Sequence, residues 1–240
     1  MFGLTVSDPN CAADRAGIAE LLHSLDLPLA GFSREDSAFF SGLTRAAFLR
    51  QASVAVLLGQ PLPSEALLNH LSSPDPLPAN VLRKYLFLRW SLMPYIRPGR
   101  AVIPAENGFL WGDALLVLPV SEEDVVDAAL PAGVWTELNG TIHTKRLRGL
   151  RGYNEMPVLV RENTLLPISM NGQSLTQTSE DDADRLTLHW FQPKGSAECV
   201  LADGICYHVQ EKGGQIDIRT NTTKPFHLIV HRDGIETLIR

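Results

Sequence analysis

Near Arg97 the spacing of apolar residues changes period, and this change limits what the chain can fold into more than any other feature. Upstream, apolar side chains recur every three or four residues: Ile18, Leu21, Leu22 and Leu25, then Phe39, Phe40, Leu43, Ala47, Phe48 and Val54, then Leu82, Tyr85, Leu86, Leu88, Trp90 and Leu92. That spacing predicts helices that each bury a face. Downstream the apolar residues come in short runs, Val102-Ile103, Ala114 to Val120, Met156 to Val160 and Leu165 to Ile168, separated by Gly, Asn and Pro. Such runs read as β-strands, so the second part of the chain is not helix-rich.

The upstream part resolves into a helix from about Pro9 to Ser24, with Asp8 as its cap and Pro9 at the first helical position. A short buried strand is expected within Leu27 to Phe32. A second helix is expected within Asp36 to Leu58 and ends at Gly59. Prolines crowd the segment between Pro61 and Pro78, which predicts an irregular surface loop. The helix from Val81 to Tyr95 has apolar residues on more than one face and is expected to be buried. In the last part, six runs alternate as half-exposed strands: Leu186 to Phe191, Ala197 to Leu201, Cys206 to Val209, Ile216 to Arg219, Phe226 to Val230 and Thr237 to Ile239. The acidic stretch Glu180 to Asp184 before them reads as a linker or turn, and no internal repeat is visible.

Composition narrows the function classes. With 27 acidic against 21 basic residues and a net charge of −6, the chain lacks the clustered cations that duplex binding requires. The one basic cluster, Lys145-Arg146-Leu147-Arg148-Gly149-Leu150-Arg151, is short and broken by Gly, and reads as a solvated loop. Met1-Phe2-Gly3-Leu4 has no basic start or long apolar run of the signal-peptide kind, and Ser53 to Gly59 is far short of the ~20 residues of a membrane span. Cys11, Cys199 and Cys206 are odd in number and lack metal-ligand spacing, which favours a reduced, cytoplasmic setting. Cys199 and Cys206 could pair across a hairpin, but free buried thiols are the preferred reading. In a cytoplasmic protein the sequons at Asn139 and Asn221 carry no weight.

Three stretches, in this order, resemble glycoside hydrolase family 31, the α-glucosidase and α-xylosidase family. Lys84-Tyr85-Leu86-Phe87-Leu88-Arg89-Trp90-Ser91-Leu92-Met93-Pro94-Tyr95 is similar to the Arg-Tyr…Leu-Leu-Pro-Tyr helix at the end of the family's barrel. Gly112-Asp113-Ala114-Leu115-Leu116-Val117-Leu118-Pro119-Val120, followed by Leu130-Pro131-Ala132-Gly133-Val134-Trp135, resembles two signatures of the β domain behind that barrel. Met156 to Pro167 is similar to Pro-Val-Phe-Val-Arg-x-Gly-Ser-Ile-Ile-Pro, with Asn163 at the family's Gly; Asn tolerates the left-handed backbone such a position needs. Physically, Gly133 after Pro131 suits a tight turn that delivers Trp135 into a β core. These are scaffold motifs. The resemblance implies a fold of the α+β multi-domain class, with a partial (β/α) barrel-like segment at 1–97, a proximal antiparallel β domain at 98–172 and a distal one at 173–240, both sandwich-like.

The family's chemistry needs two carboxylates about 5 Å apart, a nucleophile and an acid/base. No segment of this sequence matches the Trp-x-Asp-Met-Asn-Glu-type nucleophile motif. Asp8, in Val6-Ser7-Asp8, is the one candidate remnant of the acid/base, and it reads more simply as the helix cap. Gly59 stands where the resemblance expects an Arg that holds sugar at the reacting subsite, and no His follows nearby. Gly31-Phe32-Ser33-Arg34-Glu35 replaces Gly-x-Asp-Ile-Gly-Gly without its Asp. A complete eight-fold barrel takes about 250 residues, whereas fewer than 100 precede the β segments here.

Nothing else supplies an activity. His189, His208, His227 and His231 have no compact ligand spacing and read as strand histidines, and Asp181, Asp182 and Asp184 as a solvated acidic turn, so neither a metal nor another cofactor is expected. The expectation is a degenerate family 31 relative that hydrolyses nothing alone. The alternatives are a carbohydrate-binding or interaction module using Trp111, Trp135 or Trp190 as stacking platforms, and one half of a split glycosidase. An α-linked oligosaccharide is the expected small-molecule partner. Self-association or a partner chain would cover the open barrel edge; nucleic acid and membrane are not expected partners.

Overall fold

The computed structural model of the chain describes residues 29–30, 43–60, 62–63, 77–152, 154–169 and 186–239. The helix expected from Pro9 to Ser24 and the acidic stretch 180–184 lie outside these. The chain divides into two compact units, Met1–Arg89 and Trp90–Arg240.

In the first unit, β1 (Leu29–Ala30) and β2 (Leu62–Pro63) run parallel, with Leu29 beside Leu62 and Ala30 beside Pro63. Parallel neighbours need a long return connection, and α1 (Arg45–Leu58) lies within it. The sequence sets both ends of this helix. Thr44 is extended and accepts from the Ala47 amide at 3.3 Å, while Gly59 adopts φ 68°. Beyond Gly59, Gln60 N–H donates to Ala55 O and Gly59 N–H to Val56 O, the paired bonds of a Schellman ending. Phe48, Leu49, Ala52, Val56 and Leu57 are fully buried. The segment expected to be an irregular loop from Pro61 thus begins with a short strand.

The expected helix Val81–Tyr95 is two helices, α2 (Leu77–Ser91) and α3 (Met93–Ile96). Proline explains the break. Pro94 has no N–H and its ring would clash with the carbonyl four residues back, so α2 stops at Ser91 and Pro94 falls in the first turn of α3, where that N–H is not needed.

The second unit is almost entirely β. Its proximal layer is a six-stranded antiparallel sheet in the order β3 (Val102–Ala105), β4 (Gly108–Trp111), β5 (Leu115–Val117), β10 (Val158–Arg161), β7 (Trp135–Glu137), β8 (Ile142–His143). The central strands β5, β7 and β10 are buried on both faces; β5 and β10 accordingly read as continuous apolar runs, while β7 carries Thr136 and Glu137 inside. Gly133 (φ 118°) makes the predicted turn, and Trp135 behind it is fully buried with its indole N–H donating to Pro131 O at 2.8 Å.

A separate two-stranded ribbon pairs β6 (Val125–Ala129) with β9 (Arg146–Leu150). This corrects the reading of Lys145 to Arg151 as a loop. Leu147 points inward opposite Ala128, while Arg146 and Arg148 point outward around Asp127, so the segment has strand alternation with arginine on its wet face.

The distal layers are β11 (Thr164–Ser169), β12 (Leu186–Phe191), β16 (Phe226–Arg232) and β17 (Ile235–Leu238) in one sheet and β13 (Ser196–Val200), β14 (Cys206–Lys212) and β15 (Gln215–Thr220) in another. All six runs expected after position 185 are strands. Between the two sheets lie Leu165, Leu186, Leu188, Trp190, Leu228 and Val230 from one side and Cys199, Tyr207 and Val209 from the other. β12 and β16 are parallel, and β13 to β15 form the crossover between them. The short helix α3 packs on the edge strand β11.

Asn163 turns the chain from the proximal sheet into the distal one. It adopts φ 58°, as its chemistry allows. Its side-chain oxygen accepts from the Lys194 amide (2.8 Å) and the Trp190 indole (3.2 Å), and its amide group donates to Ser196 O (2.8 Å). A glycine here would supply the backbone conformation but none of these bonds.

Candidate functional site

Asp8 lies outside the described residues, as do Gly31 and Glu35, so the described candidate positions are Gly59, the tryptophans, the cysteines and the distal histidines. At Gly59 an added Cβ would lie 2.5 Å from the Arg89 guanidinium carbon, and the backbone is left-handed. Arg89 donates to Leu57 O at 2.9 Å and so closes the carbonyl end of α1. The left-handed backbone disfavours an arginine at position 59, whereas the guanidinium beside it is the far end of a flexible side chain that can turn aside. The sugar-holding cation implied by the resemblance is absent at this position, and the backbone there suits glycine.

The tryptophans are not stacking platforms. Trp111, Trp135 and Trp190 are at most 3% exposed, and the indole N–H groups of Trp135 and Trp190 are bonded within the scaffold. They supply core volume.

The described residues include a cleft of about 590 Å³ lined by Pro98, Gly99, Arg100, Asp113, Glu198 and Cys199, among others. Arg100 lies over the Tyr95 ring at 4.9 Å, and its Nη1 is 3.9 Å from Asp113 Oδ1. Its buried Nε has no hydrogen-bond partner. Tyr95 donates to Trp111 O at 2.7 Å, and burial pushes its hydroxyl up to about 12. Burial likewise pushes the Cys199 thiol up to about 12, with Cys206 a lesser contributor. A thiol so shifted is protonated at neutral pH and is no nucleophile. Nor can it bridge to Cys206. Cys199 pairs with Tyr207 on the inner face and Cys206 with Val200 on the outer, so the two sulfurs point to opposite sides of the sheet, and both thiols are free.

Two polar clusters were hidden from sequence reading. Glu137, 4% exposed, accepts from Arg151 Nη2 at 2.8 Å and lies 2.7 Å from His143 Nε2. In the distal sheet His189 Nδ1 is 2.7 Å from His231 Nε2, and His231 Nδ1 is 3.4 Å from Glu236 Oε1. Among the described residues no group of three or more His, Cys, Asp or Glu could hold a metal ion. No described helix is long and apolar enough to cross a membrane.

Residues 87–166, one third of the chain, match the glycosyl hydrolase family 31 C-terminal domain. The chain resembles the C-terminal part of a family 31 protein. No curated protein matches it in sequence. Similar solved structures include an uncharacterized protein of Listeria monocytogenes in complex with glucose (20% identity, TM-score 0.63), covering 78% of this chain and 22% of that one. A family 31 dextranase of Flavobacterium johnsoniae, complexed with glucose, is 16% identical with a TM-score of 0.61, over 78% and 30% of the two chains. The family 31 α-xylosidase of Xanthomonas citri is 18% identical with a TM-score of 0.60, over 82% and 27%. At these identities the likeness is one of fold, and this chain spans less than a third of each relative. The match covers the region where the quoted motifs fall, and the several antiparallel sheets agree with the family's C-terminal β domains.

Proposed function

We propose that this chain is a non-catalytic, pseudoenzyme-like relative of the family 31 glycosidases, keeping their C-terminal β scaffold without a working site. The observation that carries this reading is Gly59: it stands where the resemblance expects a sugar-holding arginine and its left-handed backbone suits glycine, while the scaffold motifs around Gly133 and Trp135 are kept and Asn163 takes the place of the family's Gly in the third. The lack of a nucleophile motif in the sequence supports it. On this reading residues 1–97 are the remnant of a (β/α) barrel, for which the parallel β1–β2 pair connected through α1 is supporting evidence. Free Cys199 and Cys206 support a cytoplasmic setting. Exposed apolar side chains on edge strands, Val102 and Ile103 on β3 and Ile235 and Leu238 on β17, support self-association or a partner chain. The test is direct. Purified chain incubated with aryl α-glucosides and α-xylosides should release no product; release that disappears in Asp8→Asn overturns the reading.

The cleft favours a second reading, weak binding of an α-linked oligosaccharide. Arg100, Asp113 and Glu198 place donors and acceptors for sugar hydroxyls around one concavity. Calorimetric titration with isomaltotriose should show binding that weakens in Asp113→Ala; no heat at millimolar sugar counts against it.

A further inference from the structure

His189 and His231 sit on neighbouring parallel strands, diagonally related because His231 is registered with Phe191 and His189 with Ile229. Their nitrogens are 2.7 Å apart, and Phe191 stacks on His231 at 4.2 Å with the rings 5° from parallel. His231 is 5% exposed. An N···N contact of this length holds one proton. With none the two lone pairs repel, and with two the N–H groups collide. The neutral pair satisfies this with one N–H directed at the other ring. A first added proton is also accommodated: His231 becomes an imidazolium that donates to His189 on one side and faces the Glu236 carboxylate, 3.4 Å away, on the other. A second proton has no place, since it would put like charges and opposed N–H groups together inside an aromatic stack.

We propose that the His189–His231 pair is an acid-sensitive fastening between β12 and β16, closed while the pair carries at most one added proton and opened by the second. The surrounding charges fit this role. Glu236 on β17 is the facing carboxylate, and His227 lies on the same side of β16. Asp233 is in the β16–β17 turn, and Arg232 is engaged with Glu211 at 2.8 Å. β11 brings no titratable side chain, and β7, reached through the Gln192 Nε2 donation to Thr136 Oγ1, brings Glu137, which is engaged with Arg151 and His143. Burial first, then the neighbouring His231, pulls His189 down to about 4, and burial lowers His231 while Glu236 opposes it. Because the folded values lie below the free value, the opened state takes up protons first. The fastening is complete above about pH 6.5 and weakens as pH falls toward 4.

Amide hydrogen exchange of the full chain, expressed as protection factors, tests this. From pH 7 to pH 4, protection across 186–191 and 226–232 should fall by about tenfold or more, reversibly, while that across 206–220 changes by less than about threefold. Loss of protection in all three segments together overturns the proposal, because it reports global acid unfolding. His231→Phe keeps the stack and removes the shared proton, leaving only the burial of His189, so the selective fall should become clearly smaller; an unchanged fall overturns the proposal. Should that variant not fold, Glu236→Gln at the surface serves instead. It removes the charge that favours the first proton and should move the acid midpoint up by about half a pH unit or more; an unmoved midpoint overturns the proposal.

Discussion

Each β layer of the second unit places a glutamate beside a histidine, with opposite consequences. In the proximal sheet the carboxylate is the buried member. Glu137 is enclosed, and Arg151 and His143 converge on one of its oxygens. In the distal sheet His231 is buried, His189 is half-buried and Glu236 remains at the surface. A buried carboxylate facing a permanent cation forms a charge pair, whereas an enclosed imidazole pair is satisfied only while nearly neutral. The same two residue types therefore give a charge-paired joint in one layer and a proton-sharing one in the other. What separates them is which member lies inside.

The largest effect expected from breaking this comparison comes from Glu137→Ala. It strands the Arg151 guanidinium, three-quarters enclosed, together with His143. Removing one member of a buried pair costs roughly 3–5 kcal/mol. Urea denaturation at neutral pH measures it, and a loss below about 1 kcal/mol would mean that the cations reach water by local rearrangement.

The corner that joins the two layers gives the next effect. Asn163→Ala loses three side-chain bonds, each worth roughly 1 kcal/mol, and places a Cβ-bearing residue at φ 58° without the local polar contacts that ease it. A loss of about 2–3 kcal/mol is expected. Asn163→Gly keeps the backbone freedom and should lose less than the alanine variant. Both variants lose the same side-chain bonds, so a reversed order would mean that the left-handed backbone at this corner costs an alanine nothing.

The sequence made strands and turns legible wherever a single local rule acted. Gly59 and Gly133 announced positive φ by being glycine, and Asn163 did so through its ready access to the left-handed region. The alternating runs after position 185 became six strands because each has one wet face and one dry face. Legibility failed where the deciding partner is distant in sequence. His189 and His231 are 42 residues apart and meet only through the β12–β16 register. Nothing local in the sequence marks Glu137, because the Arg151 that returns to it lies 14 residues further on. The Trp side chains misled for a related reason: an aromatic ring suits a sugar platform or a core equally well, and only burial separates the two. At Lys145 to Arg151 charge count outweighed alternation, although Leu147 between two arginines was already the strand signal.

That ribbon provides the smallest prediction and the sharpest control. Asp127 parallels Glu137 as one carboxylate between two basic side chains, here both arginines: Arg146 Nη2 donates to Oδ2 at 2.8 Å, and Arg148 Nε lies 3.5 Å from the same oxygen. The Arg146 hydrogen bond holds the Asp127 carboxyl below the usual carboxylate range. Its arginines, however, stand in solvent. Water replaces a lost partner there, and salt at physiological strength screens the remaining charges. Asp127→Asn should therefore leave the urea midpoint within measurement error at about 0.15 M salt, with a small shift emerging only at low ionic strength. The lowered carboxyl adds a sign: any contribution of the pair is present at neutral pH and fades as acid protonates Asp127. If Asp127→Asn matched Glu137→Ala in size, enclosure would not be what makes the proximal joint strong, and the contrast between the two layers would have to rest on the number of cations instead.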